Sequence, residues 1–417
     1  MSRYEKMRCG LIGEHLGHSF SAIIHKKIAD YSYELRELTP CDVGNFVKDG
    51  GFDAFNVTIP YKKTVMPFLD SISDEARRIG AVNTVVRRSD GSIEGYNTDY
   101  FGFAATVAKL CVSVKGKKAV ILGSGGACAT VRTVLADMGA EPIIVVGRHL
   151  DDNYENISRH ADARIIVNTT PVGMYPNCGE SPIRLSDFPV CEACLDLIYN
   201  PARTALLLEA ERLNIPHING LYMLVAQAVK AYEFFTGDKA DPSVIDRITE
   251  EISFDTQNII LIGMPGCGKS VVGKEIASVL NRPFLDADEE FEKMHGQTPA
   301  HVISALGEET FRELEHKTLS ELCKRSGVVI ATGGGAVTRE RNYNVLRQNG
   351  SVVYLRRELS RLATGGRPLS QKIGVEDLYA RRREAYERFA HVTVDSAEEV
   401  SLTAKIIIEK IKEGKKK

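Results

Sequence analysis

Apolar and polar positions alternate along this chain in a recurring unit: a short apolar run, a glycine-bearing polar turn, then apolar residues at helical spacing. The unit appears at Cys9 (CGLIGEHLGHSFSAIIHKKIAD), at Ala119 (AVILGSGGACATVRTVL) and at Asn258 (NIILIGMPGCGKSVV). Further apolar runs are FDAFNV, PIIVVGR, ARIIVNTT, CLDLIYN and VVIATGGG, and LYMLVAQAVKAYEFFTG reads as a long helix. Short buried strands alternating with helices predict an α/β protein with parallel sheets. Between Asp246 and Gln257 the sequence DRITEEISFDTQ turns polar and loses its periodicity. A domain boundary is expected there, with residues 253–257 as a linker between parts at 1–252 and 258–417.

The third unit carries the most specific chemistry. Gly263, Gly266, Cys267, Gly268, Lys269 and Ser270 stand within G-x-x-x-x-G-K-S, between an apolar strand and a helix start. Glycines let backbone amides wrap a phosphate, Lys269 can reach the terminal phosphates, and Ser270 can ligate Mg²⁺. A nucleoside triphosphate, ATP, is expected. Downstream, Asp286 and Asp288 end a short strand in FLDADEEFEK, suited to Mg²⁺ or to an acceptor hydroxyl. Gly333, Gly334 and Gly335 allow close approach to a ligand, and Arg367 lies in a glycine-flanked loop like an arginine on a lid. Arg382 stands in an arginine run, a pattern that is most often a solvated helix face.

The second unit has Gly123, Ser124, Gly125, Gly126 and Ala127 in a variant of the dinucleotide fingerprint, and the next strand ends at Arg148. A guanidinium there favours NADP over NAD, because it can pair with a 2′-phosphate; Asp151 and Asp152 follow closely and oppose it. In the first part, Ser19 and Ser21 are either helix caps or ligands of a polyol or carboxylate. Asn56, Thr58 and Lys62 sit around Pro60, and Asn83, Asn97 and Asp99 cluster at element ends as a polar site does. Gln227, isolated on an apolar helix, reads as either a core glutamine or a ligand.

Composition removes alternatives. At 417 residues, two or three domains are expected. A net charge of -2 gives no electrostatic case for nucleic acid or an anionic membrane as a partner. No apolar run has the length of a membrane span, and the start MSRYEKMR lacks a signal-peptide core, so a cytoplasmic protein is expected. Nine cysteines suit reduced thiols, and the lone C-x-x-C at Cys191 and Cys194 is a weak metal or redox signal.

The motifs HSFS, NVTIPYKK, GAVNTV, GYNTDYFGF, ILGSGGA, VNTTPVGM, DLIYNPARTALL and NGLYMLVAQA, in that order, resemble the shikimate dehydrogenases over about 250 residues. The resemblance implies a substrate domain at about 1–103 with a helix at 222–250, and a Rossmann-like cofactor domain at about 104–221. Ser19, Ser21, Thr58, Asn83, Tyr199 and Gln227 would hold the shikimate ring, Lys62 and Asp99 would be catalytic, and Gly220 and Met223 would border NADP(H). The remaining residues resemble shikimate kinase, a P-loop fold, through the phosphate loop, Asp288, Arg312 in GEETFR, Gly333 to Gly335, and Arg382 four residues before Tyr386. There Asp288 would hold the acceptor hydroxyls, Arg312 and Arg382 the carboxylate, and Arg367 the phosphates. Together the two resemblances imply a bifunctional enzyme that makes shikimate and phosphorylates it. Alternatives keep the architecture with quinate and NAD, or make the first half a binding module without catalysis.

The chain departs from these patterns in places. Ala22 follows Ser21 where the family has proline, and the cofactor motif is reduced to Gly147-Arg148-His149. The stretch from Arg148 to Asn168 is short enough to remove a strand and a helix from the cofactor domain.

Overall fold

The computed structural model describes residues 4–17, 20–362 and 374–414. The chain divides into two compact units, one formed by 1–171, 182–199 and 209–251, the other by 172–181, 200–208 and 252–417.

The first unit has two sheets. One contains β1 (Arg8–Gly13), β2 (Ser32–Glu37), β3 (Ala54–Val57), β4 (Ser71–Ile72), β5 (Thr84–Arg87) and β6 (Ile93–Tyr96), in the order β2-β1-β3-β5-β6-β4. β1 runs parallel to β2 and β3, whereas β5 is antiparallel to both β3 and β6. The helices α1 (Ser21–Ile28), α2 (Val43–Asp49) and α3 (Asp74–Ile79) connect these strands. Ile12, Phe52, Phe55, Val57 and Tyr61 build its core. The other sheet is wholly parallel: β7 (Ala119–Leu122), β8 (Ile143–Val146), β9 (Ile165–Asn168), β10 (Ala193–Asp196) and β11 (His217–Ile218), ordered β11-β10-β9-β7-β8.

Between the two sheets in sequence runs α4 (Thr98–Lys109), capped by Asn97, whose side chain accepts from the Tyr100 amide at 3.2 Å. α5 (Gly126–Asp137) follows β7, and α6 (Ala205–Arg212) follows β10. α7 (Leu221–Thr236) packs along α4, with Gly102 so close that a Cβ would stand 2.7 Å from the Met223 carbonyl.

Two expectations need correction. The helix placed at 222–250 is two helices, α7 and α8 (Ser243–Thr256), because α7 closes on Gly237 in the left-handed conformation. The stretch 246–257, read as aperiodic, is helical to Thr256, so residues 253–256 of the expected linker lie in a helix. Ile248 and Ile252, four apart and buried, form its narrow apolar stripe among polar residues. In the cofactor sheet, the short run between β8 and β9 holds a 3₁₀ turn at Ile157–His160 and no strand among the described residues, as the length of the segment predicts.

The second unit contains one parallel sheet: β12 (Asn258–Ile262), β13 (Phe284–Asp286), β14 (Val329–Ala331), β15 (Gly350–Arg356) and β16 (Val392–Asp395), ordered β13-β14-β12-β15-β16. Among the described residues its helices are α9 (Lys269–Leu280), α10 (Ala287–His295), α11 (Pro299–Cys323), α12 (Asn342–Arg347), α13 (Val375–Phe389) and α14 (Val400–Glu413). β12 is buried throughout, which suits its central place and its unbroken apolar run. Gly307, at φ 87°, breaks α11, so Glu308 begins a separate helical run that carries Arg312. The segment 200–208 belongs to this unit through Arg203, whose Nε donates to the Arg347 carbonyl at 2.9 Å and Nη2 to that of Gly350 at 2.8 Å.

Candidate active sites

In the first unit, β3 ends at Val57 and the chain turns, the Tyr61 amide donating to the Thr58 carbonyl at 2.9 Å. Tyr61 is buried and its hydroxyl donates to the Leu38 carbonyl at 2.6 Å, which fixes the turn from which Lys62 projects. Thr58 lies against the end of β1, where a Cβ on Gly13 would meet its methyl at 2.6 Å. Lys62 Nζ donates to Asp99 Oδ2 at 2.6 Å, with the two side chains 31% and 18% exposed. Asp99 sits in the first turn of α4, where the helix dipole favours a carboxylate.

One residue after Asn97 and one before Asp99, Thr98 joins two more expected ligands. Asn83 Oδ1 accepts from the Thr98 amide at 2.7 Å, and the Thr98 hydroxyl lies 3.2 Å from both Asn83 Oδ1 and Gln227 Oε1. Gln227 also donates to the Leu224 carbonyl at 2.9 Å, so it is a satisfied buried glutamine that belongs to the site's wall. Thr84 extends the network: its hydroxyl is 3.0 Å from that of Thr98 and accepts from Asn56 Nδ2 at 3.0 Å.

Ser21 opens α1 and hydrogen-bonds the Tyr33 phenol, which donates to Asn56 Oδ1 at 2.7 Å. Its neighbour Phe20 meets Tyr199 edge to face at 5.6 Å, and burial raises the Tyr199 phenol above its ordinary range. Ser19 lies outside the described residues. Behind Ser21, His25 is fully buried, stacked on Tyr33 at 3.9 Å, with Nδ1 2.6 Å from the Tyr31 hydroxyl. Burial, opposed by Asn56, pushes its imidazole down to about 3. The structure thus pairs Lys62 with Asp99, links Asn83 to Gln227 through Thr98, and brings the Ser21 end of α1 to Tyr199. The sequence reading missed Thr98, Tyr33 and His25; Thr98 had a signal, its place between two flagged residues, and Asn56 was marked only by its place before Pro60.

In the cofactor sheet, Gly123 has φ 98°, and a Cβ there would meet the Thr170 methyl at 2.8 Å. Ser124, Gly125, Gly126 and Ala127 are exposed at the start of α5, which leaves backbone amides free for a pyrophosphate. Arg148 is exposed just beyond β8. Gly220 packs so closely on the end of β10 that a Cβ would lie 2.0 Å from the Leu197 carbonyl, and Met223 follows in the first turn of α7. A dinucleotide fits this cradle. Cys191 and Cys194 have thiols raised by burial, Cys191 up to about 11, and no cluster of three or more metal-ligating side chains occurs among the described residues.

In the second unit, Gly263, Gly266 and Gly268 all have positive φ, which shapes the loop between β12 and α9. Cys267 is buried beneath it. Lys269 Nζ donates to the Gly263 and Met264 carbonyls at 3.0 and 3.1 Å, along the loop a triphosphate would line. Ser270 Oγ donates to Asp286 Oδ2 at 2.6 Å, so two oxygens that suit Mg²⁺ stand side by side. Asp286 also caps α10 by accepting from the Asp288 amide at 3.1 Å, which moves Asp288 from the strand onto the helix's first turn.

The three glycines after β14 sit within this cluster. A Cβ on Gly333 would stand 2.9 Å from Glu315 Oε1 and 3.3 Å from Asp288 Oδ1; one on Gly334 would strike Pro265, and one on Gly335 the Arg312 guanidinium. Arg312 donates to Glu315 at 2.7 Å and Glu308 at 3.0 Å, and the Arg312 and Glu315 side chains are 3% and 7% exposed. Arg382 is buried and donates to the Gly334 carbonyl at 3.1 Å; Tyr386 donates to the same oxygen. Arg382 is therefore part of the site and not a solvated face. Glu315, absent from the sequence reading, is held above the usual carboxylate range by burial, which Arg312 opposes and Asp288 reinforces. Arg367 lies outside the described residues.

Comparison with known proteins decides the lineage. A shikimate dehydrogenase (NADP(+)) of Clostridium perfringens (strain SM101 / Type A) is 38% identical over 264 residues, 58% of this chain and 97% of that relative. The chain belongs to the shikimate dehydrogenase family. Family models agree, with the shikimate dehydrogenase substrate binding domain matching residues 11–85 and the shikimate 5'-dehydrogenase C-terminal domain matching 220–247. The shikimate kinase model matches residues 265–412, so the family fold is joined here to a shikimate kinase domain. The crystal structure of a chorismate mutase/shikimate 5-dehydrogenase fusion protein from Clostridium acetobutylicum has TM-score 0.56 and 39% identity, covering 59% of this chain and 97% of that one. A shikimate 5-dehydrogenase from Listeria monocytogenes, solved in complex with shikimate and NAD, has TM-score 0.55 and 28% identity over 60% of this chain and 99% of that chain. The α/β fold is Rossmann-like in its first half. The chain is a bifunctional enzyme of the shikimate pathway, an oxidoreductase and a kinase. No helix among the described residues is long and apolar enough to cross a membrane.

Proposed function

We propose that the first unit reduces 3-dehydroshikimate to shikimate with NADPH and that the second phosphorylates shikimate on its 3-hydroxyl with MgATP. The observation that carries the first step is the Lys62–Asp99 pair at 2.6 Å, partly open to solvent among otherwise buried polar groups. NADPH, when bound on the glycine cradle, supplies the hydride to the ketone carbon. Lys62 gives a proton to the oxygen as the carbonyl becomes an alcohol, and Asp99 holds the ammonium in place. Its partial exposure lets water return the proton to Lys62. Asn83, Gln227, Ser21, Ser19, Thr58 and Tyr199 orient the ring. The retained pair argues against a non-catalytic module.

In the second unit, Asp288 accepts the hydrogen bond of the 3-hydroxyl and aims its oxygen, while Arg312 and Arg382 hold the carboxylate. ATP supplies the γ-phosphoryl group, and Mg²⁺ held near Ser270 and Asp286 offsets its charge. Lys269 and Arg367 complete the positive surround. The hydroxyl proton leaves to solvent as the new phosphate ester forms and ADP departs. We place the division of labour at residues 1–252 and 258–417, and the enzyme in the cytoplasm with small-molecule substrates.

Asp151 and Asp152 beside Arg148, and the NAD bound in the Listeria relative, favour a second reading in which NAD and quinate serve the first unit. Steady-state rates with shikimate or quinate and NADP⁺ or NAD⁺ separate the two. Highest kcat/KM with shikimate and NADP⁺ is expected; faster quinate oxidation with NAD⁺ overturns the proposal.

A further inference from the structure

The turn after β8 carries charges of both signs at the place where a bound dinucleotide's adenosine ribose is read. Arg148 is exposed at its start, close enough to Tyr154 that its charge opposes the upward push of burial on that phenol. The chain then folds back: the Leu150 amide donates to the Gly147 carbonyl at 3.2 Å and the Gly147 amide to the Asp152 carbonyl at 3.1 Å. A Cβ on Gly147 would stand 3.1 Å from Ser124 Oγ, so this turn lies against the glycine turn that precedes α5. A 2′-phosphate seated here is attracted by Arg148 and repelled by any carboxylate presented beside it.

Asp152 is such a carboxylate, and it is held. Its Oδ1 lies 2.7 Å from Nε2 of His160, whose side chain is 11% exposed at the end of the 3₁₀ turn that replaces a longer connection. Asn153 and Asn156 stiffen that connection, the Asn153 amide donating to Asn156 Oδ1 at 3.0 Å and Asn156 Nδ2 to the Asp151 carbonyl at 2.8 Å. His160 Nδ1 is buried with no hydrogen-bond partner among the described residues, so Asp152 provides the ring's polar anchor.

We propose that His160 is a specificity-determining positioning residue: by holding the Asp152 carboxylate, it leaves Arg148 as the charge that a 2′-phosphate meets. This rests on the NADP reading above. The shortened segment then does not weaken phosphate recognition, because the carboxylate it brings near is fixed on the His160 ring at 2.7 Å.

The test uses the full chain and four forms: wild type, His160→Ala, Asp152→Asn, and the double substitution. Dissociation constants for NADP⁺ and NAD⁺ are measured by calorimetry, alongside kcat/KM for NADPH and NADH. Each ratio is internal to one variant, so a smaller folded fraction cancels. His160→Ala is expected to lower the NADP⁺ preference about five- to tenfold, less at high salt. Asp152→Asn should keep or raise the preference, and the double substitution should restore it. An unchanged ratio in His160→Ala, or a double variant as poor as the single, overturns this inference while the NADP reading stands. A wild type that prefers NAD⁺ overturns that reading, and this inference with it.

Discussion

Two ion pairs of nearly equal length sit at the two sites, and their surroundings differ. Lys62 and Asp99 meet at 2.6 Å with side chains 31% and 18% exposed; Arg312 and Glu315 meet at 2.7 Å with both nearly sealed from solvent. A partly wet pair loses little by being separated and can exchange its proton with substrate and water. A buried pair cannot be opened without stranding a charge, and it serves to hold a fixed shape. Under the proposed function, the wet pair suits the chemistry of the dehydrogenase site, and the buried pair suits a rigid acceptor pocket at the kinase site, where little covalent work is needed.

Substitutions that separate activity from stability sharpen this contrast. The largest effect expected is on turnover: Lys62→Ala should lower the kcat for 3-dehydroshikimate reduction by about 10²–10⁴-fold. Its unfolding free energy from urea denaturation should stay within about 0.5 kcal/mol of wild type, since the pair is partly exposed. Near-normal turnover would remove Lys62 from the chemistry. Next, Arg312→Ala should destabilise the second unit by about 3–5 kcal/mol, read as an earlier transition in chemical denaturation, and raise the KM for shikimate. A variant with lost phosphorylation but an unchanged midpoint would break the contrast from the other side.

A smaller effect follows from His25. Its folded-state value of about 3 lies below the ordinary 6.5, so the folded form keeps it neutral where the unfolded chain takes up a proton. Its contribution is present above pH 6.5 and is lost as pH falls toward 3, by about 1.4 kcal/mol per pH unit. The first unit of His25→Gln should therefore show a flatter stability profile between pH 6.5 and 5 than wild type; parallel profiles would contradict the assignment. Smallest, Thr98→Val should cost about 1–2 kcal/mol by leaving hydrogen bonds of Asn83 and Gln227 unmade, with a rise in substrate KM greater than the fall in kcat. A loss confined to kcat would place Thr98 in the chemistry instead.

How much of this was legible in the sequence depended on how local each feature is. The phosphate loop was readable because its glycines, Lys269 and Ser270 lie within eight consecutive residues, and the structure keeps them in one loop and helix start. Asp286 reaches Ser270 from sixteen residues away, yet its place at a strand end marked it. Glu315 carried no mark, since its meaning comes from Asp288 and Gly333, which only the fold brings beside it. Tyr33 and His25 were hidden for the same reason: one phenol and one imidazole gain roles from partners on other elements. The helix through 246–256 was misread because two isoleucines suffice to seat it, too few to show a period against its charged residues.

The most direct measurement supplies the purified chain with 3-dehydroshikimate, NADPH and MgATP and identifies the products by mass spectrometry and NMR. Shikimate 3-phosphate is predicted, formed with one NADPH and one ATP consumed per molecule. Unreacted 3-dehydroshikimate, or shikimate that accumulates while ATP stays intact, would contradict the account.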